Sequence, residues 1–116
     1  MIDLNELGIL SRFYATSRGK RDRTRLETLA LIHAEVSEVV EEVKRFNPVF
    51  YRDEQTRAPR GEAIELADIV LYVASYCAQF NIDLNEAIDI KLDYEKNRSD
   101  RMAEIMITEL KEKDSQ

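Results

Sequence analysis

Apolar residues recur along this chain with helical spacing in four stretches, and the third of these is apolar on nearly every side. The first stretch, over residues 4–15, predicts a short amphipathic helix with Leu4, Leu7, Leu10 and Tyr14 as its buried edge. The segment TSRGKRD at residues 16–22 then forms a basic, Gly-containing connection. A second helix opens near Asp22 or Thr24, either of which can cap it, and runs to Phe46, where Asn47 and Pro48 stop it. On its helical projection Ile32, Val36, Val39, Val40 and Val43 form an apolar arc, and Glu35, Glu38 and Glu42 line one margin of that arc. Residues 47–61, NPVFYRDEQTRAPRG, are a long link, and links of that length in compact domains tend to be functional or mobile.

The third helix covers residues 62–80 and contains AIELADIVLYVASYCAQF, in which only Glu65 and Asp68 are charged. Asn81, Ile82 and Asp83 make the next turn, and Asp83 with Glu86 has the spacing of a capping box for a fourth helix. That helix carries Leu84, Ala87, Ile88, Lys91, Leu92 and Tyr94 and continues through Arg101 and Ile105. The polar tail at residues 111–116 is expected to fray. The expected architecture is therefore all-α, a bundle of four to five helices in one domain over residues 1–116. Residues 1–22 supply the N-terminal helix and its connection, and residues 47–61 an active-site loop.

Composition narrows the class. A hydrophobic fraction of 44%, a charged fraction of 34%, and only 3 Gly and 2 Pro describe a folded, helix-rich protein. The net charge of −6 argues against general binding to nucleic acid or to an anionic membrane, both of which need a basic surface. It leaves phosphate ligands open, because bound divalent cations reverse the local sign of an acidic pocket. The lone Cys77, mid-run on the apolar helix, reads as a small buried hydrophobe, and the sole histidine, His33, as structural. The N-terminus lacks a basic leader before an apolar core, and the uncharged run at residues 69–80 is too short to span a bilayer, so a cytoplasmic location is the default expectation. A small chain with Leu, Val and Ile on several helix sides also calls for a partner surface, as in a homo-oligomer.

The chemistry lies in the acidic pairs. Glu65 and Asp68 sit one turn apart on a helix that offers few positions to water. A buried carboxylate protonates, pairs with a cation or binds a metal, because burying it alone is so costly. Glu35 and Glu38 repeat the same offset on the preceding helix, and antiparallel packing would set the two pairs face to face. Four hard oxygen ligands suit Mg²⁺, with Mn²⁺ as a substitute, better than zinc or copper, and Mg²⁺ held by carboxylates most often meets substrate phosphates. A ferritin-like di-iron site would need two Glu-x-x-His motifs, and the chain has none. No Gly-rich phosphate loop is present either. Cations available to complete a phosphate site are Arg52, Arg57 and Arg60 in the long link, and Lys91, Arg98 and Arg101 on the fourth helix, where Tyr94 or Glu95 shares their face.

LALIHAEVSEVVEEVKR at residues 29–45, followed by GEAIELADIVLYVASYCAQFNIDLNEAIDIKLDYEKNR at residues 61–98, resembles the MazG-like nucleoside triphosphate pyrophosphohydrolases, relatives of the dimeric dUTPases and of phosphoribosyl-ATP pyrophosphohydrolase. The resemblance implies that Glu35, Glu38, Glu65 and Asp68 ligate Mg²⁺, and that a nucleoside or deoxynucleoside triphosphate is split between its α and β phosphates into monophosphate and pyrophosphate. It implies further that Glu38 orients or deprotonates the attacking water, and that Lys91, Tyr94, Asn97 and Arg98 hold the substrate. The chain departs from the pattern at Glu95, which stands where the family has its phosphate-binding Asn; Asn97 follows two residues later. A homodimer or homotetramer is also implied, with the nucleobase against Phe13, Tyr14, Phe50 or Tyr51. The rival from another class is a non-catalytic helical interaction module with a structural cation site.

Overall fold

Helices account for most of the chain in the computed structural model, which describes residues 2–114. They are α1 (Leu4–Ser17), α2 (Arg25–Lys44), α3 (Glu62–Gln79) and α4 (Leu84–Asp114), and the only sheet among the described residues pairs β1 (Tyr51–Arg52) with β2 (Pro59–Arg60). The all-α expectation is met. The chain divides into two compact units, Met1–Asp83 and Leu84–Gln116.

In the first unit α3 is the central element, and both α1 and α2 pack against it. Caps fix where each helix begins. The Asp3 side chain accepts from the backbone N–H groups of Asn5 and Glu6 at the start of α1. Of the two candidate caps for α2, Thr24 takes the role, in a full capping box with Glu27. Asp22 instead accepts both contacts of the Arg12 guanidinium, at 3.0 Å, which ties the connection to α1. α2 ends at Lys44, short of the expected Phe46, because Phe46 itself adopts a left-handed φ of 55°.

Direction follows from the contacts at the helix ends. Arg25, at the start of α2, stacks on the Phe80 ring at 4.2 Å and donates to the Tyr76 hydroxyl, both at the end of α3. Gln79 donates to the Arg23 carbonyl oxygen at 2.7 Å. α2 therefore runs antiparallel to α3. α1 does too: Asn5 donates to Asp83 at 2.9 Å, and a Cβ placed on Gly8 would lie 2.7 Å from the Ala74 carbonyl carbon. Only glycine allows that approach of helix to helix.

The core that results is small. The buried residues are Gly8, Thr28, Gly61, Ala74 and Cys77, so the Cys77 expectation holds, and burial raises its thiol pKa. Most of the expected apolar edge is less covered than its spacing suggests. Leu10 and Tyr14 on α1, and Val36, Val40 and Val43 on α2, are about half exposed, while Ile32 and Val39 are half-buried. Within this unit α3 is the helix that packs extensively on α2, so an arc wider than that contact stays partly exposed.

Residues 47–61 are a built hairpin. Tyr51 pairs with Arg60 and Arg52 with Pro59 across the two strands, and the Asp53 carboxylate accepts from the N–H groups of Gln55 and Thr56, each at 2.9 Å. Glu42, the third member of the acidic margin, anchors this hairpin. It accepts from the Tyr51 hydroxyl at 3.1 Å and from Asn47 at 2.9 Å. Gly61 then caps α3 at φ 110°, a conformation that favours glycine.

The second unit is α4, a single helix of 31 residues with no buried residue. It reaches Asp114, so residues 111–114 of the expected frayed tail are helical, and Ser115 and Gln116 lie outside the described residues. The stretch contains no Gly or Pro to end it, and Lys111 and Lys113 in its last turn complement the helix dipole. No single helix among the described residues is long and apolar enough to cross a membrane.

Candidate metal centre

The register that seats Arg25 against Tyr76 and Phe80, carried along the antiparallel pair, brings Glu35 and Glu38 level with Asp68 and Glu65. Carboxylate oxygens of Glu35, Glu38 and Glu65 lie within 4.8 Å of one another. Glu35 and Glu65 are half-buried, and each acts on the other's proton affinity. Glu38 is the exposed member of the three.

Asp68 stands beside this triad rather than within it, close enough for its charge to act on Glu35 and for that of Glu38 to act on it. The convergence expected from the two sequence pairs is thus met by three of the four residues, with the fourth adjoining. Crowding shows in the proton affinities. Burial, then the Glu35 hydrogen bond and the charges of Glu38 and Glu35, push Glu65 up to about 7. Burial followed by the Glu38 charge raises both Glu35 and Asp68. Tyr72, one turn beyond Asp68 on α3, is raised by burial and by the Glu35 charge.

No lysine or arginine among the described residues forms an ion pair with any of these four acids. That matters because elsewhere the chain pairs its carboxylates readily: Glu41 with Lys44 and Arg45, Glu27 with Arg21, Asp53 with Arg60. An all-oxygen, partly buried, uncompensated donor set fits a hard divalent ion such as Mg²⁺ or Mn²⁺ and would satisfy little else. His33 is exposed on α2 and takes no part.

The other residues singled out in the sequence are placed as follows. On α4, Lys91 and Arg98 both bond Glu95, at 2.8 and 2.7 Å, and both lie over the Tyr94 ring. Lys91, Tyr94 and Arg98 therefore do share one face, but the charge of Lys91 and Arg98 is taken up by Glu95. Asn97 lies on the same helix. In the hairpin, Arg52 donates to the Arg57 carbonyl oxygen and lies over the Phe50 ring, and Arg60 faces Asp53. Tyr51, one of the aromatics offered for a nucleobase, is engaged by Glu42.

Three cations passed over in the sequence do meet the site. Arg18, Lys20 and Arg23, from the connection between α1 and α2, line a surface hollow of about 120 Å³ together with Asp68 and Tyr72. The only sign of them in the sequence is the run SRGKRDR, which reads as solvated charge until the path of the connection along α3 is known. Comparison with known protein families, curated proteins and solved structures finds no match for this chain.

Proposed function

We propose that this protein is a divalent-metal-dependent pyrophosphohydrolase that converts a nucleoside or deoxynucleoside triphosphate to the monophosphate and pyrophosphate, as the resemblance to the MazG-like enzymes implies. The observation that carries the reading is the meeting of Glu35, Glu38 and Glu65 across two antiparallel helices, with Asp68 adjoining and no cation paired to any of them. Glu35, Glu38, Glu65 and Asp68 would hold Mg²⁺ or Mn²⁺. The ion, when bound, would neutralise phosphate charge and lower the pKa of its water.

The chain's own groups supply the remaining chemistry. Glu38 is the exposed carboxylate of the triad and accepts a proton from water as its oxygen attacks the α-phosphorus. The bond from that phosphorus to the α–β bridging oxygen breaks, and pyrophosphate leaves. Glu35 and Glu65, half-buried and raised in proton affinity, would hold the ion in their deprotonated forms. A homodimer or homotetramer in the cytoplasm completes the proposal. The exposed Val36, Val40 and Val43 of α2, and the exposed Met102, Met106 and Leu110 of α4, support the assembly, since apolar side chains so placed favour a protein partner over water.

The test is pyrophosphate release across a panel of nucleoside and deoxynucleoside triphosphates, with Mg²⁺ and with chelator. Metal-dependent monophosphate production is expected, falling at least about a hundredfold in Glu38→Ala and Asp68→Ala, the scale associated with losing general-base and metal contributions. A folded protein that binds Mn²⁺ but leaves every nucleotide intact would make it the non-catalytic interaction module instead.

A further inference from the structure

The connection between α1 and α2 is a basic arm laid beside an acidic centre. Arg18 and Lys20 are exposed, Arg23 is half-buried, and none of the three has an ion-pair partner among the described residues. They share their hollow with Asp68, yet no salt bridge joins them to it. Two fixed anchors hold the arm in place without using these side chains. Arg12 grips Asp22 through both carboxylate oxygens, and Gln79 donates to the Arg23 carbonyl oxygen. Gly19, at φ 80°, bends the chain between Arg18 and Lys20.

A second hollow of about 210 Å³ adjoins the first and shares Arg18, Ser11 and Leu71 with it. Its other walls are Leu7, which is half-buried, and Leu10 and Tyr14, which the core leaves about half exposed. The carboxylates thus adjoin the cationic hollow at Asp68, and that hollow adjoins the apolar cleft at Leu71. A ligand that matches this sequence of surfaces has a metal-complexed anionic end, an anionic middle and a flat apolar end. That is the layout of a nucleoside triphosphate.

We propose that the α1–α2 connection is the phosphate-binding arm of the carboxylate site, with Arg18, Lys20 and Arg23 on the phosphate nearest the sugar and the Leu7, Leu10, Tyr14 and Leu71 cleft receiving the base. This rests on the pyrophosphohydrolase reading for the identity of the ligand, and it assigns to the first unit the phosphate contacts that the sequence pattern gave to Lys91 and Arg98. Guanidinium groups suit the role, because they bond phosphate oxygens in pairs.

The probes are the Mg²⁺ complex of a non-hydrolysable α,β-imido nucleoside triphosphate, Mg²⁺-tripolyphosphate, and Mn²⁺ alone, each titrated calorimetrically. Arg18→Gln and Arg23→Gln should each weaken the nucleotide and tripolyphosphate about tenfold and leave Mn²⁺ affinity within about twofold, the loss of one charge-assisted contact. Tyr14→Ala should weaken the nucleotide and spare tripolyphosphate, whereas Lys44→Ala, on the far end of α2, should change nothing. On the unsubstituted protein, Mg²⁺-nucleotide should protect Arg18 and Arg23 from phenylglyoxal while Arg57 stays reactive, which keeps the test independent of how the variants fold. Unchanged phosphate affinity in both Gln variants, or equal labelling of Arg18 and Arg23 with and without nucleotide, overturns the proposal. The two readings separate cleanly: binding losses as described with no hydrolysis of any nucleotide keep the arm and remove the enzyme, and hydrolysis with an unaltered KM in the variants does the reverse.

Discussion

The α2–α3 pair and α4 are both rich in acidic residues at helical spacing, yet they treat those charges in opposite ways. On α4, Glu95 finds Lys91 one turn before it and Arg98 one turn after it, so its charge is met within the helix that carries it. On α2 and α3, Glu35, Glu38 and Glu65 are brought together by a neighbouring helix, and no cation comes with them. A single helix settles its own electrostatics locally. Two helices packed face to face can hold like charges together, because the apolar contacts around the pair offset their repulsion. The difference leaves one cluster uncompensated and the other paired on its own surface.

The largest effect on that contrast is expected from Gly61, which opens α3 one turn ahead of Glu65. A Cβ there would lie 2.5 Å from the Val49 carbonyl oxygen and 2.9 Å from that of Pro48, at φ 110°. Gly61→Ala should lower stability by about 2–4 kcal/mol and misplace Glu65, read as a lower denaturation midpoint together with weaker Mn²⁺ binding. Gly19→Ala is the control: φ is 80° but nothing lies within 4 Å, so the expected cost is about 1 kcal/mol.

Gly8→Ala comes next. It should push α1 off α3 and cost about 1–3 kcal/mol in chemical denaturation, with the mass measured in solution unchanged. Met106→Glu on α4 should show the opposite pattern. Met102, Met106 and Leu110 form an exposed apolar stripe, and charging it should lower the mass measured by light scattering while the helical circular dichroism of the first unit persists.

A change of pH should separate the regions without mutation. Glu65 titrates near 7 in the fold against an ordinary value of 4.5, so between those values the folded protein keeps a proton that the unfolded chain has released. The metal-free protein should therefore melt a few degrees higher at pH 6 than at pH 8. Mg²⁺ should narrow or reverse that gap, because its ligands must be deprotonated and its stabilisation grows with pH. Equal melting temperatures at both pH values with chelator present would contradict the crowding of the cluster.

The smallest effect is expected at Glu95. Glu95→Gln frees Lys91 and Arg98 from solvent-screened pairs, and the melting temperature should move by no more than about a degree, since exposed pairs of this kind contribute only tenths of a kcal/mol.

Much of this architecture is legible before folding. Local rules suffice for the start of α2 near Asp22 or Thr24, its end near Asn47 and Pro48, the burial of Cys77 and the two acidic pairs, because each depends on residues within a turn or two of one another. Periodicity also finds the apolar side of each helix, but it does not say how wide a strip a neighbour will cover, and so it overstates the burial of Leu10, Val36 and Val43. The hairpin at residues 51–60 escapes notice for a related reason. Its strands are two residues long, and it is held by Asp53 and by the distant Glu42 rather than by any alternating pattern.

The helices and the offsets of their carboxylates follow from residue order alone, since a helix fixes the geometry of residues three and four apart. That three of the four acids converge while Asp68 stands beside them, and that Arg18, Lys20 and Arg23 line a hollow with Asp68, follows from packing. Those distances depend on the register of α2 against α3 and on the path of the connection past Gly19. Both are set by contacts between residues far apart in the chain, the Arg25 stack on Phe80 and the Gln79 bond to Arg23 among them.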